Sequence, residues 1–202
     1  MTILFATTDY VGSGKPMTGL PAYLYRVSRA LSDMGHTPII MTLGHHDFYR
    51  NDDGIEVYTI YVPSSYYKNK CVGYICDAVS KSRIMNRRIK ELSYRRHIDV
   101  IQFTSLMGLP LCYTGDIPAV LRLSSYARIA FSTHISVEKT LVETMAFFER
   151  HSAKRCVAVY APCQATADQF GRDAGRKVYV LEPPFQNEVE CYDYSLADGL
   201  KG

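Results

Sequence analysis

Short apolar runs alternate with amphipathic stretches along almost the whole chain. Residues 2–7 form an apolar run of strand length, and a loop rich in small residues spans 9–19. Apolar positions then recur at helical spacing over 20–34, closing on Gly35-His36. Runs of strand character return at 37–42, 56–62, 98–103, 119–123, 156–160 and 177–181. A polar loop rich in Asp, Asn and Gly precedes the run at 56–62. Helical spacing reappears over 71–96, where Ile75, Val79, Met85, Ile89 and Leu92 make one stripe, and again over 136–151 and 165–170. A short helix or turn is expected over 108–113. Continuous apolar strands separated by helices predict a parallel sheet covered on both faces. Right-handed crossovers then give an α/β, Rossmann-like, doubly wound and mainly parallel sheet of about seven strands with helices on both faces. After Pro183-Pro184-Phe185 the sequence turns polar and irregular. Residues 1–185 therefore read as one domain, and 186–202 as the start of a linker toward a further domain absent from this chain.

Composition changes this picture little. A hydrophobic share of 47% and a charged share of 21% over 202 residues suit an ordinary globular domain with a sizeable core. A net charge of +3 is too small to point to nucleic acid. The cysteines Cys71, Cys76, Cys112, Cys156, Cys163 and Cys191 are scattered, without a CxxC pair. Free thiols fit that scatter better than a disulfide framework or a zinc knuckle. Residues 1–7 carry no basic leader, and no run approaches the ~20 apolar residues of a membrane span. The expected location is cytoplasmic.

A strand that feeds a helix through a small-residue loop leaves backbone N–H groups open to an anion at the helix start. Two well-known phosphate loops are excluded here. A Walker loop needs Ser or Thr after Gly-Lys, whereas Pro16 follows Gly14-Lys15. The dinucleotide fingerprint fails because Met17 stands where the third glycine belongs. What remains is the string from Thr18-Gly19-Leu20-Pro21 to Leu31-Ser32-Asp33-Met34-Gly35-His36. It resembles the N-terminal signature of GT-B glycosyltransferases of family four, in which a Gly-Gly loop leads into a helix closing with Leu-x-x-x-Gly-His. Asp99-Val100-Ile101 resembles that family's Asp-Val-Ile strand, and Pro118-Ala119-Val120 its Pro-Val-Val strand. Glu149-Arg150 with Ala153-Lys154 is similar to its Glu-Arg…Ala-Asp segment.

The resemblance implies two Rossmann-like halves with the active site between them, this chain being the N-terminal, acceptor-side half. It implies transfer of a hexose from an NDP-sugar co-substrate to a glycan or lipid-linked acceptor, with retention, no further cofactor and no obligatory metal. Most donor-binding and catalytic residues, including a Glu-x7-Glu motif, would lie in the other half, so no catalytic residue is assigned here. Gly19 takes the position where the backbone approaches the donor diphosphate; Thr18 replaces the first glycine, and Lys15 stands within reach of a phosphate. Ser124, followed by Ser125 and Tyr126, stands where the family often has His, and Ser105 ends the preceding strand-loop; these are the acceptor-side candidates. The plainer readings are a turn glycine, a solvated lysine and serines that cap helices. A stand-alone, non-catalytic Rossmann-like binding module is the alternative for the chain as a whole.

Other features carry less. The basic span 81–97 with its apolar stripe suits peripheral contact with an anionic membrane surface, an anionic acceptor or a solvated helix face. His45-His46-Asp47 reads as a loop, since adjacent residues rarely reach one metal ion together. Tyr66, Tyr67 and Tyr74 suit sugar stacking or core packing equally. Glu149 reads as a salt-bridge partner or a solvated residue.

Overall fold

Eight strands form one sheet in the order β3-β4-β2-β1-β5-β6-β7-β8. The computed structural model describes residues 1–11, 19–63, 67–132 and 137–183. The strands are β1 (Thr2–Thr7), β2 (Thr37–Gly44), β3 (Phe48–Asp52), β4 (Ile55–Tyr61), β5 (Val100–Thr104), β6 (Ala119–Arg122), β7 (Ala158–Ala161) and β8 (Tyr179–Val180). All neighbouring pairs are parallel except β3 with β4. The chain first builds outward from β1 through β2 to β4, then crosses back and lays β5 on the other side of β1. The sheet therefore has a switch point between β1 and β5, and ligands of open α/β sheets bind at the carboxyl ends of strands beside such a point.

Helices α1 (Gly19–Asp33), α2 (Lys70–Ser93), α3 (Ala127–Ala130), α4 (Lys139–Ala153) and α5 (Gln164–Ala174) cover the sheet, with a 3-10 helix over Leu106–Cys112. The central strands β1 and β2 are largely apolar and buried, as expected where helices cover both faces. Phe5, Ile40 and Val57 pack with Leu24 of α1 on one face. Leu4, Ile39, Ile101, Leu121 and Val159 join Met85 and Ile89 of α2, Ala146 of α4 and Phe170 of α5 on the other. Asn69 caps α2, its side-chain oxygen accepting the Val72 N–H at 3.0 Å. The Ser82 hydroxyl then pins α2 to the 3-10 helix, donating to the Leu109 carbonyl at 2.7 Å and accepting the Cys112 N–H at 2.8 Å. Gly108 sits there at φ +59, and a Cβ on it would lie 3.3 Å from the Phe148 Cβ of α4.

The expected α/β class and doubly wound arrangement hold. One strand joins the seven that were expected: β3 occupies part of the stretch read as a polar loop. Asp53 and Gly54, both at positive φ, turn β3 back onto β4 as an Asp-Gly hairpin. This edge strand leaves Phe48 and Tyr49 half exposed, so it carries no buried-strand pattern. Helix α5 runs further than 165–170 and stops at Gly175 in the left-handed region, while the four-residue α3 had no periodic signal. Cys71, Cys76, Cys112, Cys156 and Cys163 are free. No helix among the described residues is long and apolar enough to cross a membrane. Residues 184–202, which include the end of the expected domain and the expected linker, lie outside the described residues.

Candidate functional site

Three chain segments converge at the carboxyl edge of the sheet: the start of α1, the end of β6 and the exit from β7. Together with Pro183 they enclose a cleft of about 390 Å³ lined by Gly19, Tyr23, Arg26, Arg122, Ser124 and Pro162, among others. Gly19 is the first residue of α1, so the start of that helix, its positive dipole end, borders the cleft. Among the described residues, nothing lies within 4 Å of where a Gly19 Cβ would sit.

Arg122 forms the floor. β6 is otherwise apolar, and Arg122 pairs in register with Thr104 of β5 and Tyr160 of β7. Its residue is only 6% exposed. The guanidinium lies 3.7 Å from the Tyr23 ring centroid and donates to the Ser124 hydroxyl at 3.0 Å. Tyr160 donates its hydroxyl proton to Gln102 Oε1 at 2.6 Å, which leaves Tyr23 to donate to the Tyr160 oxygen across 3.1 Å. Burial pushes the Tyr160 hydroxyl well above its ordinary range, with the neighbouring Tyr23 adding to the rise, so this relay is uncharged. Gln102 Nε2 and Thr104 Oγ1 are buried without a partner among the described residues.

The sequence-derived candidates separate in space. Gly19 and Ser124 share the cleft. Ser125 is half-buried, and its carbonyl accepts the Ser105 hydroxyl at 3.3 Å. Ser105 is fully buried and so does not line the cleft. Tyr126 needs the clearer correction as an acceptor-side residue: it is fully buried on the opposite face against Phe170, with ring centroids 5.1 Å apart. Its hydroxyl donates to Asp173 at 2.7 Å and accepts from Arg150 at 2.8 Å. Burial, reinforced by Asp173, raises its pKa to about 12. Glu149 is likewise buried, not solvated or ion-paired on the surface; it accepts the Ala127 N–H at 3.0 Å and so caps α3. Burial pushes its carboxyl up to about 8. Lys15, Thr18 and Tyr66 lie outside the described residues. Asp47 pairs with Arg88 and accepts the Tyr61 N–H, and no metal-binding cluster occurs among the described residues.

Arg122, Tyr23 and Arg26 were missed by sequence reasoning. Arg122 had a usable signal, because a charge inside an apolar central strand is costly unless something meets it. Larger cavities of about 680 and 530 Å³ lie elsewhere. The first is at the amino edge of the sheet around Lys90, Asp99 and Asp116, and the second lies between β2–β4 and α2. Neither meets the switch point that favours the smaller cleft. In the basic span, Lys81, Arg87, Arg88 and Arg96 are paired with Asp77, Glu91, Asp47 and Glu56.

Solved structures reproduce this frame. A sucrose-phosphate synthase from Thermosynechococcus elongatus superposes with a TM-score of 0.62 at 10% identity, covering 90% of this chain and 48% of its own. Apo UGT2 from Phytolacca americana gives 0.60 at 7% identity, covering 93% and 52%. The catalytic domain of starch synthase IV from Arabidopsis thaliana gives 0.53 at 10% identity, covering 90% and 51%. The fold is one half of a GT-B fold. At these identities the likeness shows the fold alone, and the chain spans about half the length of each of these solved chains. No family model matches the sequence, and no curated protein does.

Proposed function

We propose that this chain is the acceptor-side half of a nucleotide-sugar-dependent glycosyltransferase. The carrying observation is the cleft itself: a helix start at Gly19 and a buried Arg122 meet at the carboxyl edge of a half GT-B fold. The starch synthase superposed above was solved with ADP and acarbose, which supports a nucleoside diphosphate as one ligand class for such a cleft.

In this reading the complete enzyme moves a hexose from an NDP-sugar to a glycan or lipid-linked acceptor with retention, as in family four. The diphosphate leaves as an anion. The N–H groups at the start of α1, with Gly19 allowing close approach and Thr18 and Lys15 just before it, stabilise the growing charge. Ser124, whose hydroxyl oxygen already accepts from Arg122, turns its proton outward to a sugar oxygen, and Ser125 borders the acceptor path. A second Rossmann-like half supplies the base and sugar contacts.

The test is transfer from radiolabelled UDP-, ADP- and GDP-sugars by the full-length protein, against residues 1–202 alone. Transfer from at least one donor by the full-length protein, and none by the shorter chain, is expected. Robust turnover by residues 1–202 would refute the division of labour, and no transfer or donor hydrolysis with any NDP-sugar would refute the enzyme.

A further inference from the structure

Among the described residues, every arginine–carboxylate pair involves a more exposed arginine than Arg122. Arg29 pairs with Asp52 and Asp53, Arg88 with Asp47 and Glu91, and Arg128 with Glu143 and Asp173, at side-chain exposures of 22, 32 and 36%. Arg122, at 6%, is the one arginine among the described residues that counts as buried, and no described carboxylate pairs with it. A buried cation without a counter-charge is costly, and stacking on Tyr23 plus one hydrogen bond to Ser124 returns only part of that cost. A guanidinium carries five N–H donors, so most of its capacity is uncommitted among the described residues. Its plane is held by Tyr23, and Tyr23 is held in turn by Tyr160. Arg26, on the same wall of the cleft, is exposed and has no described ion-pair partner.

We propose that Arg122 and Arg26 form a phosphate-binding site in the cleft, with Arg122 as the fixed, stacked contact and Arg26 as the closing one. A planar fork of fixed orientation suits two oxygens of one phosphate group. The start of α1 at Gly19 adds positive potential on the same side. The phosphate belongs either to the diphosphate of the donor or to a phosphorylated acceptor. That choice rests on the glycosyltransferase reading; the existence of the site does not.

The experiment is calorimetric titration of the full chain with UDP, sodium pyrophosphate, glucose 6-phosphate and uncharged glucose. It is repeated with Arg26→Ala, Arg122→Gln and Arg83→Ala, the last removing the same charge from the exposed face of α2. At least one phosphate compound is expected to bind, at least tenfold more weakly to Arg26→Ala and Arg122→Gln, and unchanged with Arg83→Ala. Arg26 is exposed and has no ion-pair partner among the described residues, so its variant keeps the test valid if Arg122→Gln does not fold. Binding of UDP and pyrophosphate without glucose 6-phosphate assigns the site to the donor, and the reverse assigns it to the acceptor. Either pattern upholds the site even if the full-length protein transfers no sugar. No phosphate binding, or binding that neither cleft variant weakens, overturns it.

Discussion

Glu149→Gln should change how stability depends on pH while leaving the fold intact. Glu149 is 4% exposed, and its carboxylate accepts the Ala127 N–H that begins α3. Burial raises its pKa from 4.5 to about 8, against smaller lowering effects of that hydrogen bond and of Arg150. Between these values the native protein holds a proton that the unfolded chain releases, so stability falls as pH rises. At about 1.36 kcal/mol per pH unit, the full span costs about 5 kcal/mol, a large share of a typical domain's stability. The loss begins near the unfolded value of 4.5 and is complete above about 8. Glutamine keeps an oxygen for the Ala127 N–H and carries no charge to bury, so its profile should stay flat. Asp47, Asp99, Glu143 and Asp173 are held below their ordinary values and titrate under this window. Tyr113, Tyr126 and Cys156, each raised to about 12, titrate above it. Urea unfolding of both proteins at half-unit steps from pH 5 to 9 should show the variant gaining on the wild type throughout the rise. Parallel profiles would refute the buried-carboxyl argument.

Gly108→Ala should cost about 1–3 kcal/mol by chemical denaturation, because the position has φ +59 and crowds Phe148; an unchanged midpoint would contradict this. Tyr126→Phe keeps the packing on Phe170 but removes the hydroxyl shared by Asp173 and Arg150, so stability should fall by about 1–2 kcal/mol with ligand binding unaltered. Weakened ligand binding at unaltered stability would return Tyr126 to the acceptor site. Gly19→Ala should leave the melting temperature unchanged or slightly raised, since its Cβ meets nothing within 4 Å among the described residues, while nucleoside diphosphate affinity falls in titration. Affinity equal to the wild type would make Gly19 a turn residue only.

Periodicity made the central sheet legible, because strands buried on both faces stand out as apolar runs. The edge strand β3 was hidden by its polar, exposed sequence, although Asp53-Gly54 was a hairpin signal in plain view. The general rule for open sheets brought Gly19 and Ser124 to one edge. It could not tell which way a loop side chain turns. Tyr126 follows Ser124-Ser125 directly, yet its burial is decided by α5 and by Asp173, 47 residues away. Glu149 was equally opaque, since a charged residue on an amphipathic helix reads as surface until the neighbouring α3 is known to sit on it. Arg122 was the lost opportunity, a single charge in an apolar strand whose surroundings are supplied by Tyr23 from a distant helix.

The central claim is that the cleft between α1 and β6 receives a nucleotide-sugar. Hydrogen exchange on the full-length protein, with and without saturating UDP, ADP or GDP, tests it most directly. The account predicts slowed exchange over 19–26 and 122–124 with at least one of these nucleotides. Unchanged exchange there with all three, or protection confined to the amino-edge cavity around Lys90 and Asp116, would contradict it.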